Sequence, residues 1–157
     1  MNEKSRKIAL SMFTYGAYVL TAVADDEICA STVTWVSQAS FQPPMISVCI
    51  NKKSNTFHVV KKSNRFILHL LSHDQKSFAT SFFKSTHSED NLINGQSFKM
   101  VDDLPVLELP PAYLVCSVID LIESCDHPLF LAEVKDAVVR DKIAPLELRK
   151  TGWSYGG

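Results

Sequence analysis

A chain of 157 residues that is 46% hydrophobic is long enough to bury about two thirds of its unfolded surface, so it is read as one domain with one core over residues 1–157. Its 16 basic and 17 acidic residues nearly cancel, which removes the electrostatic footprint that general nucleic-acid binding requires. Met1 to Lys7 is polar and basic but no small-residue cleavage site follows it, and Asp25 and Asp26 end the longest early apolar stretch; neither a signal peptide nor a membrane span is expected, and the protein is expected in the cytoplasm.

Ala17 to Ala24 (AYVLTAVA) and Ile28 to Val36 (ICASTVTWV) flank Asp25-Asp26-Glu27, which predicts a hairpin of two antiparallel strands. After Pro43-Pro44, Met45 to Ile50 (MISVCI) is apolar on both faces, as in a central strand. Ser54 or Asn55 can cap a helix in which Phe57, Val60 and Lys61 fall at helical spacing. Arg65 to Leu71 (RFILHLL) reads as a strand. Ser72-His73-Asp74-Gln75 then has the S-x-x-Q form of a capping box, and Phe78, Ala79, Phe82 and Phe83 share one helical face. Lys84 to Gly95 is polar and ends in Asn94-Gly95, the composition of an exposed loop. Strands return at Ser97 to Val101, Ala112 to Glu123 and Leu129 to Val139. Six or more strands with two short helices predict a mainly β chain, folded as a closed antiparallel barrel rather than a doubly wound sheet.

The four cysteines, Cys29, Cys49, Cys116 and Cys125, form no CxxC pair and have no histidine at metal-ligand spacing; they are read as buried, reduced thiols, with no metal. His58, His69, His73 and His87 read as surface residues. No G-x-G-x-x-G follows a strand, no P-loop motif is present, and neither paired carboxylates nor a Ser/His/Asp spacing suggests hydrolysis. The unusual segment is Ala30 to Pro44 (ASTVTWVSQASFQPP), with seven hydroxyl or amide side chains between two apolar strands. It is either a Ser/Thr-rich edge strand and turn, or a strand end that offers amides and hydroxyls to an anionic or carbonyl-rich ligand beside the flat surfaces of Trp35 and Phe41. Residue types alone leave both readings open.

Tyr18 to Ala24 followed by AxTVTWVSQASFxPP resembles the amino-terminal signature of the flavin reductase-like family of FMN-binding split barrels, which includes short flavin reductases and flavoredoxin-type proteins. Further matches run in order through the chain: NKKSNTFHVV at Asn51 to Val60, FILHLLSHDQ at Phe66 to Gln75, Asp126 to Phe130, and the closing TGWSYGG at Thr151 to Gly157. The resemblance implies a flavin ring and ribityl chain resting on Thr32, Val33, Thr34 and Trp35, with Ser37, Gln38 and Ser40 nearby. The phosphate side is similar to Asn51, Ser54 and Thr56, where a helix N-terminus and Lys52 or Lys53 suit an anion. His127 resembles the family histidine close to the reactive face, and with Phe82 or Phe83 it would position the nicotinamide of NAD(P)H. The tail carrying Trp153 and Tyr155 is expected to fold toward the flavin pocket, near the boundary of a homodimer. FMN is expected ahead of FAD, NAD(P)H is the expected electron donor, and a monooxygenase or redox protein the expected acceptor. An FMN electron carrier of flavoredoxin type is the alternative, and a split-barrel interaction module without flavin a further one. Two departures stand out. His69 occupies a position where relatives commonly carry Asn, and Asp90-Asn91-Leu92 replaces Asp-Lys-Phe, removing a loop lysine for which Lys84 is read as the substitute.

Overall fold

The computed structural model describes residues 2–156. The chain begins with α1 (Glu3–Ser11), then β1 (Tyr18–Ala24), β2 (Glu27–Val33), β3 (Val36–Phe41), β4 (Pro44–Cys49), α2 (Asn55–Ser63) and β5 (Arg65–Leu70). It continues through α3 (Lys76–Thr80), β6 (Ser88–Glu89), β7 (Leu92–Ile93), β8 (Gln96–Val101) and β9 (Leu104–Leu107). Two long strands, β10 (Ala112–Ile122) and β11 (Leu129–Val139), and the short α4 (Leu148–Thr151) complete it.

Seven strands form an antiparallel sheet in the order β2-β1-β5-β10-β11-β4-β3, and β6 to β9 form a second sheet of four. The two outermost strands of the large sheet, β2 and β3, are joined by Thr34 and Trp35 alone. A flat sheet would hold its outer strands six spacings apart, roughly 29 Å, whereas the link from Val33 to Val36 reaches about 11 Å at most. The sheet must therefore curl until its edges meet at Thr34 and Trp35. The expected closure is not seen in the ladder, because no pairing joins β2 to β3 among the described residues. The chain bends there instead: the Val36 amide donates to Thr34 O and the Cys49 amide to Trp35 O, which hands the chain from one edge to the other.

Inside the curl lies a core of Leu20, Val48, Val60, Phe66 and Phe130. Helix α2 plugs one end, with Thr56, Phe57, Val59 and Val60 buried and the Phe57 ring 5.6 Å from that of Phe130. Ser54 caps the helix, its hydroxyl accepting from the Phe57 amide, and Asn64 ends it in the left-handed region. The β1–β2 hairpin turns on Asp25 and Asp26, both at positive φ, the two-residue turn whose twist matches the strands it joins.

Several expectations are corrected. The segment Lys84 to Gly95 is not a plain loop: it holds β6 and β7, and Asn94-Gly95 at positive φ is a hairpin turn into β8. Strand β9 escapes a pattern search because Pro105 interrupts it, and Asp102-Asp103 makes the turn before it. Four helices are present among the described residues, not two. The capping box forms only in part. Gln75 Oε1 accepts from the Ser72 amide, but the helix starts at Lys76 and no side chain caps it. Phe78, Ala79 and Phe82 are buried while Phe83 is exposed. Cys29 and Cys116 are buried and burial lifts both thiols to about 12, but Cys49 is half-buried and Cys125 exposed. His69 is fully buried rather than a surface residue. Its Nδ1–H donates to Val19 O and its Nε2 accepts from the Leu107 amide, both at 2.9 Å, so it rivets β9 to β1. Among the described residues no helix is long and apolar enough to cross a membrane.

Candidate functional site

The bend between β2 and β3 forms one wall of a cavity of about 580 Å³. Thr32, Val33, Thr34 and Trp35 supply that wall, and Asn51 and Ser54 stand at one end where the chain leaves β4 for α2. Thr32 also fastens the wall to α3, its hydroxyl donating to Ala79 O and its amide to Phe82 O; this brings Phe82 and Phe83 to the cavity.

The wall is short of partners. The hydroxyl of Thr34 and the indole Nε1 of Trp35 are buried with no hydrogen bond. Among the described residues the backbone amides of Thr34 and Trp35 find no acceptor either. A buried polar group left unpaired costs about 1 to 3 kcal/mol, so a wall of this kind is complementary to a ligand that brings acceptors. At the far end Ser54 Oγ donates to Asn51 O while taking the Phe57 amide, and Asn51 Oδ1 takes the Lys53 amide. The other first-turn amides of α2 have no partner within the helix, and the positive end of its dipole faces the same way.

His127, in the turn before β11, is nearly covered, with 15% of its side chain exposed. Its ring lies 4.7 Å from that of Trp35. Nδ1 is 3.2 Å from the Asp126 carboxylate and Nε2 is 2.6 Å from the hydroxyl of Tyr155. A proton on Nδ1 donated to Asp126 leaves Nε2 to accept from Tyr155. The His127 hydrogen bond holds the Asp126 carboxyl below its ordinary value. Partial burial raises the Tyr155 phenol, against a hydrogen bond to Asn51 that lowers it.

The tail reaches this position because α4 ends at Gly152, whose φ of +78° reverses the chain. Trp153 then packs its ring 4.7 Å from Phe83 and Tyr155 lies 5.5 Å from Trp35, both on their own chain.

Of the residues singled out in the sequence, Thr32, Val33, Thr34, Trp35, Asn51, Ser54, Phe82, His127 and Tyr155 line one cavity. Four do not. Ser37 and Gln38 are exposed on β3 and Ser40 is half-buried beside a bulge in it. Thr56 is buried behind the wall, its hydroxyl bonded to that of Ser31, because the second residue of α2 points back toward β2. Ser31, Cys49, Ile50 and Leu148 line the cavity without having been singled out. The end of the MISVCI strand was the available signal for Cys49 and Ile50, since a strand leading into a helix cap must pass the cap's ligand. Among the described residues no group of three or more His, Cys, Asp or Glu side chains is gathered for a metal.

A curled antiparallel sheet thus gathers hydrogen-bond donors at its seam, with aromatic rings and a helix N-terminus on the same cavity. Residues 10–153 match the flavin reductase like domain, and the chain belongs to that family. The reductase component of a 4-nitrophenol 4-monooxygenase/4-nitrocatechol 2-monooxygenase from Rhodococcus opacus is 32% identical over 125 residues, 80% of this chain and 66% of that protein. A high molecular weight rubredoxin from Moorella thermoacetica is 31% identical over 83% of this chain and 58% of its own. The chain thus spans about two thirds or less of the length of these curated relatives. Among solved structures, the styrene monooxygenase flavin reductase of Pseudomonas putida S12 is 25% identical with a TM-score of 0.77, covering 97% of this chain and 95% of that one.

Proposed function

We propose that this chain, as a single domain, is an NAD(P)H:flavin oxidoreductase that holds FMN in the cavity at the β2–β3 bend, with FAD as the alternative flavin. The observation that carries the reading is the unpaired Thr34 hydroxyl with the free amides of Thr34 and Trp35, gathered on one wall. The edge of an isoalloxazine ring presents carbonyl oxygens and ring nitrogens, the acceptors that these donors need, and a cavity of about 580 Å³ lies within the usual range for a cofactor site.

Flavin, when bound, would supply the redox chemistry as hydride acceptor, with NAD(P)H as donor. The chain's part is placement. Thr34 and Trp35 would hold the ring through its carbonyl edge, and their amides would stabilise negative charge there, as donors of an oxyanion site do. The turn at Asn51 to Ser54 and the N-terminus of α2 receive the phosphate, with Lys52 or Lys53 adding charge. His127, held between Trp35, Asp126 and Tyr155, would orient the nicotinamide, and Phe82 and Phe83, which line the same cavity, would supply apolar contact. Reduced flavin would pass to a monooxygenase or another redox protein. The Rhodococcus and Pseudomonas proteins, both named as reductases of monooxygenases, support this.

The reading includes a split barrel, its edges meeting at the seam, and a homodimer. Helix α1 buries none of its residues and exposes Ile8, Leu10 and, just beyond it, Met12 and Phe13, apolar surface that a second copy would cover. Light scattering should give twice the chain mass of 17.5 kDa. The activity is tested by anaerobic titration of the flavin-loaded protein with NADH and NADPH. Bleaching of the flavin without any partner protein is expected; bleaching that requires a partner would make the protein an electron carrier instead.

A further inference from the structure

On β2, Cys29, Ser31 and Val33 share one face. Cys29 and Val33 belong to the core, and Ser31 stands between them, a hydroxyl in a row of apolar residues. It is half-buried and lines the cavity, while its hydroxyl meets that of Thr56 on the first turn of α2. That contact fixes where along the cavity Ser31 stands. It lies at the end that Asn51 and Ser54 occupy, against the helix start. The backbone amides of Asn55 and Thr56 find no acceptor there among the described residues.

Proton counting gives the pair a direction. Two hydroxyls hold two protons, and one of these makes the bond between their oxygens. If Ser31 donated to Thr56, the Thr56 proton would be left in the core with the Cys29 thiol as its neighbour. Burial lifts that thiol to about 12, so it stays protonated, and a thiol sulfur is a weak acceptor. If Thr56 donates to Ser31 instead, the Ser31 proton turns into the cavity, where a ligand oxygen can take it. The second arrangement leaves no buried donor short of a partner.

We propose that Ser31 binds the terminal phosphate of the flavin and selects for it, donating its hydroxyl proton to a phosphate oxygen held at the free amides of Asn55 and Thr56. The proposal rests on the flavin reading and adds to it a residue from β2. A phosphate monoester gains because it meets donors from two elements: the start of α2, whose dipole favours an anion, and a hydroxyl on the strand. Riboflavin, which carries the same ring and ribityl chain but ends in a neutral hydroxyl, gains little. Ser31 thus discriminates between flavins by the end of the chain, whereas Thr34 and Trp35 hold a ring common to all of them.

Calorimetric titration of the flavin-free protein with FMN and riboflavin, for the parent, Ser31→Ala and Ser31→Thr, tests this. Ser31→Ala should bind FMN roughly tenfold to a hundredfold more weakly, the loss of a hydrogen bond to a charged group, and riboflavin about as tightly as the parent does. Ser31→Thr keeps a hydroxyl on a residue suited to a strand and should restore FMN binding. Equal losses for FMN and riboflavin would put Ser31 on the ring or ribityl chain and overturn the assignment, as would FMN bound by Ser31→Ala as tightly as by the parent. So would Ser31→Thr with the parent's thermal midpoint but the FMN affinity of Ser31→Ala. A parent protein that binds neither flavin would remove the flavin reading by itself. Ser31 would then be judged on inorganic phosphate, whose stabilisation of the parent against heat should shrink in Ser31→Ala; equal stabilisation of the two would overturn the assignment.

Discussion

The Nε2 of His127 and the hydroxyl of Tyr155 lie 2.6 Å apart, so the C-terminal tail is latched to the turn before β11 by a single hydrogen bond across the mouth of the cavity. Tyr155→Phe removes the bond and keeps the ring. Losing one hydrogen bond of about 1 kcal/mol should raise the flavin dissociation rate roughly fivefold, measured by stopped-flow displacement. An unchanged rate would show that the tail does not retain the flavin.

His127 itself should act on the other substrate. Its ring is shared between Trp35, Asp126 and Tyr155, and none of these contacts is needed to hold the flavin phosphate. His127→Ala should slow hydride transfer or weaken NAD(P)H binding, while FMN affinity falls no further than in Tyr155→Phe, which breaks the same tail hydrogen bond. A variant that loses FMN but reduces the remaining flavin at the parent rate would reverse this assignment.

Thr34 offers a test in which two effects carry opposite signs. Its buried hydroxyl has no partner, so Thr34→Val should stabilise the flavin-free protein by up to about 1 kcal/mol and weaken FMN binding by about the same amount. Thermal unfolding without ligand and fluorescence titration with FMN measure the two. If both fall together, the hydroxyl was already satisfied.

Thr56→Val should show the reverse pattern. The Thr56 hydroxyl is engaged with that of Ser31 behind the cavity wall, so its removal should cost about 1 kcal/mol of stability and leave FMN affinity little changed. A large loss of FMN affinity with normal stability would return Thr56 to the phosphate site.

His69 makes stability depend on pH. Burial, with a further push from Arg140, holds its imidazole down at about 3, against about 6.5 in an unfolded chain. Between those values the unfolded state binds a proton that the folded state refuses, so this contribution is complete above about pH 6.5 and is lost as pH falls toward 3. From about pH 6.5 to pH 5 the loss is on the order of 2 kcal/mol. Urea unfolding at each pH should show a clearly flatter slope for His69→Asn than for the parent. Equal slopes would place the dependence on other groups.

Much of the frame was legible because local chemistry decided it. Asp25-Asp26 can turn a hairpin with positive φ, Ser54 has a helix to cap, and Leu129 to Val139 matches the bounds of β11, whose alternation holds at Phe130 and Ala132 and breaks at the register shift after Val134. The site was legible in its strand, Thr32 to Trp35, and in His127. Long-range packing decided the rest. Nothing in its neighbours tells that His69 lies under β9, since the residues it bonds, Val19 and Leu107, are 50 and 38 positions away. Thr56 could be seen to lie at a helix start, but the side on which its hydroxyl would fall depended on where Ser31 stood.

The strand order has a consequence for how the chain comes together in time. Strands β10 and β11 sit between β5 and β4, although they leave the ribosome last among the strands. Until residue 112 emerges, the nascent chain can assemble only two separate fragments of the large sheet, β2-β1-β5 on one side and β4-β3 on the other. The late hairpin is the keystone that unites them, and the same event brings His127 to Trp35. Long-range pairing of this kind is slow, and it leaves the edges of β5 and β4 open to other chains meanwhile. The β10–β11 hairpin is therefore where a substitution would reduce the yield of folded protein out of proportion to its effect on the finished molecule.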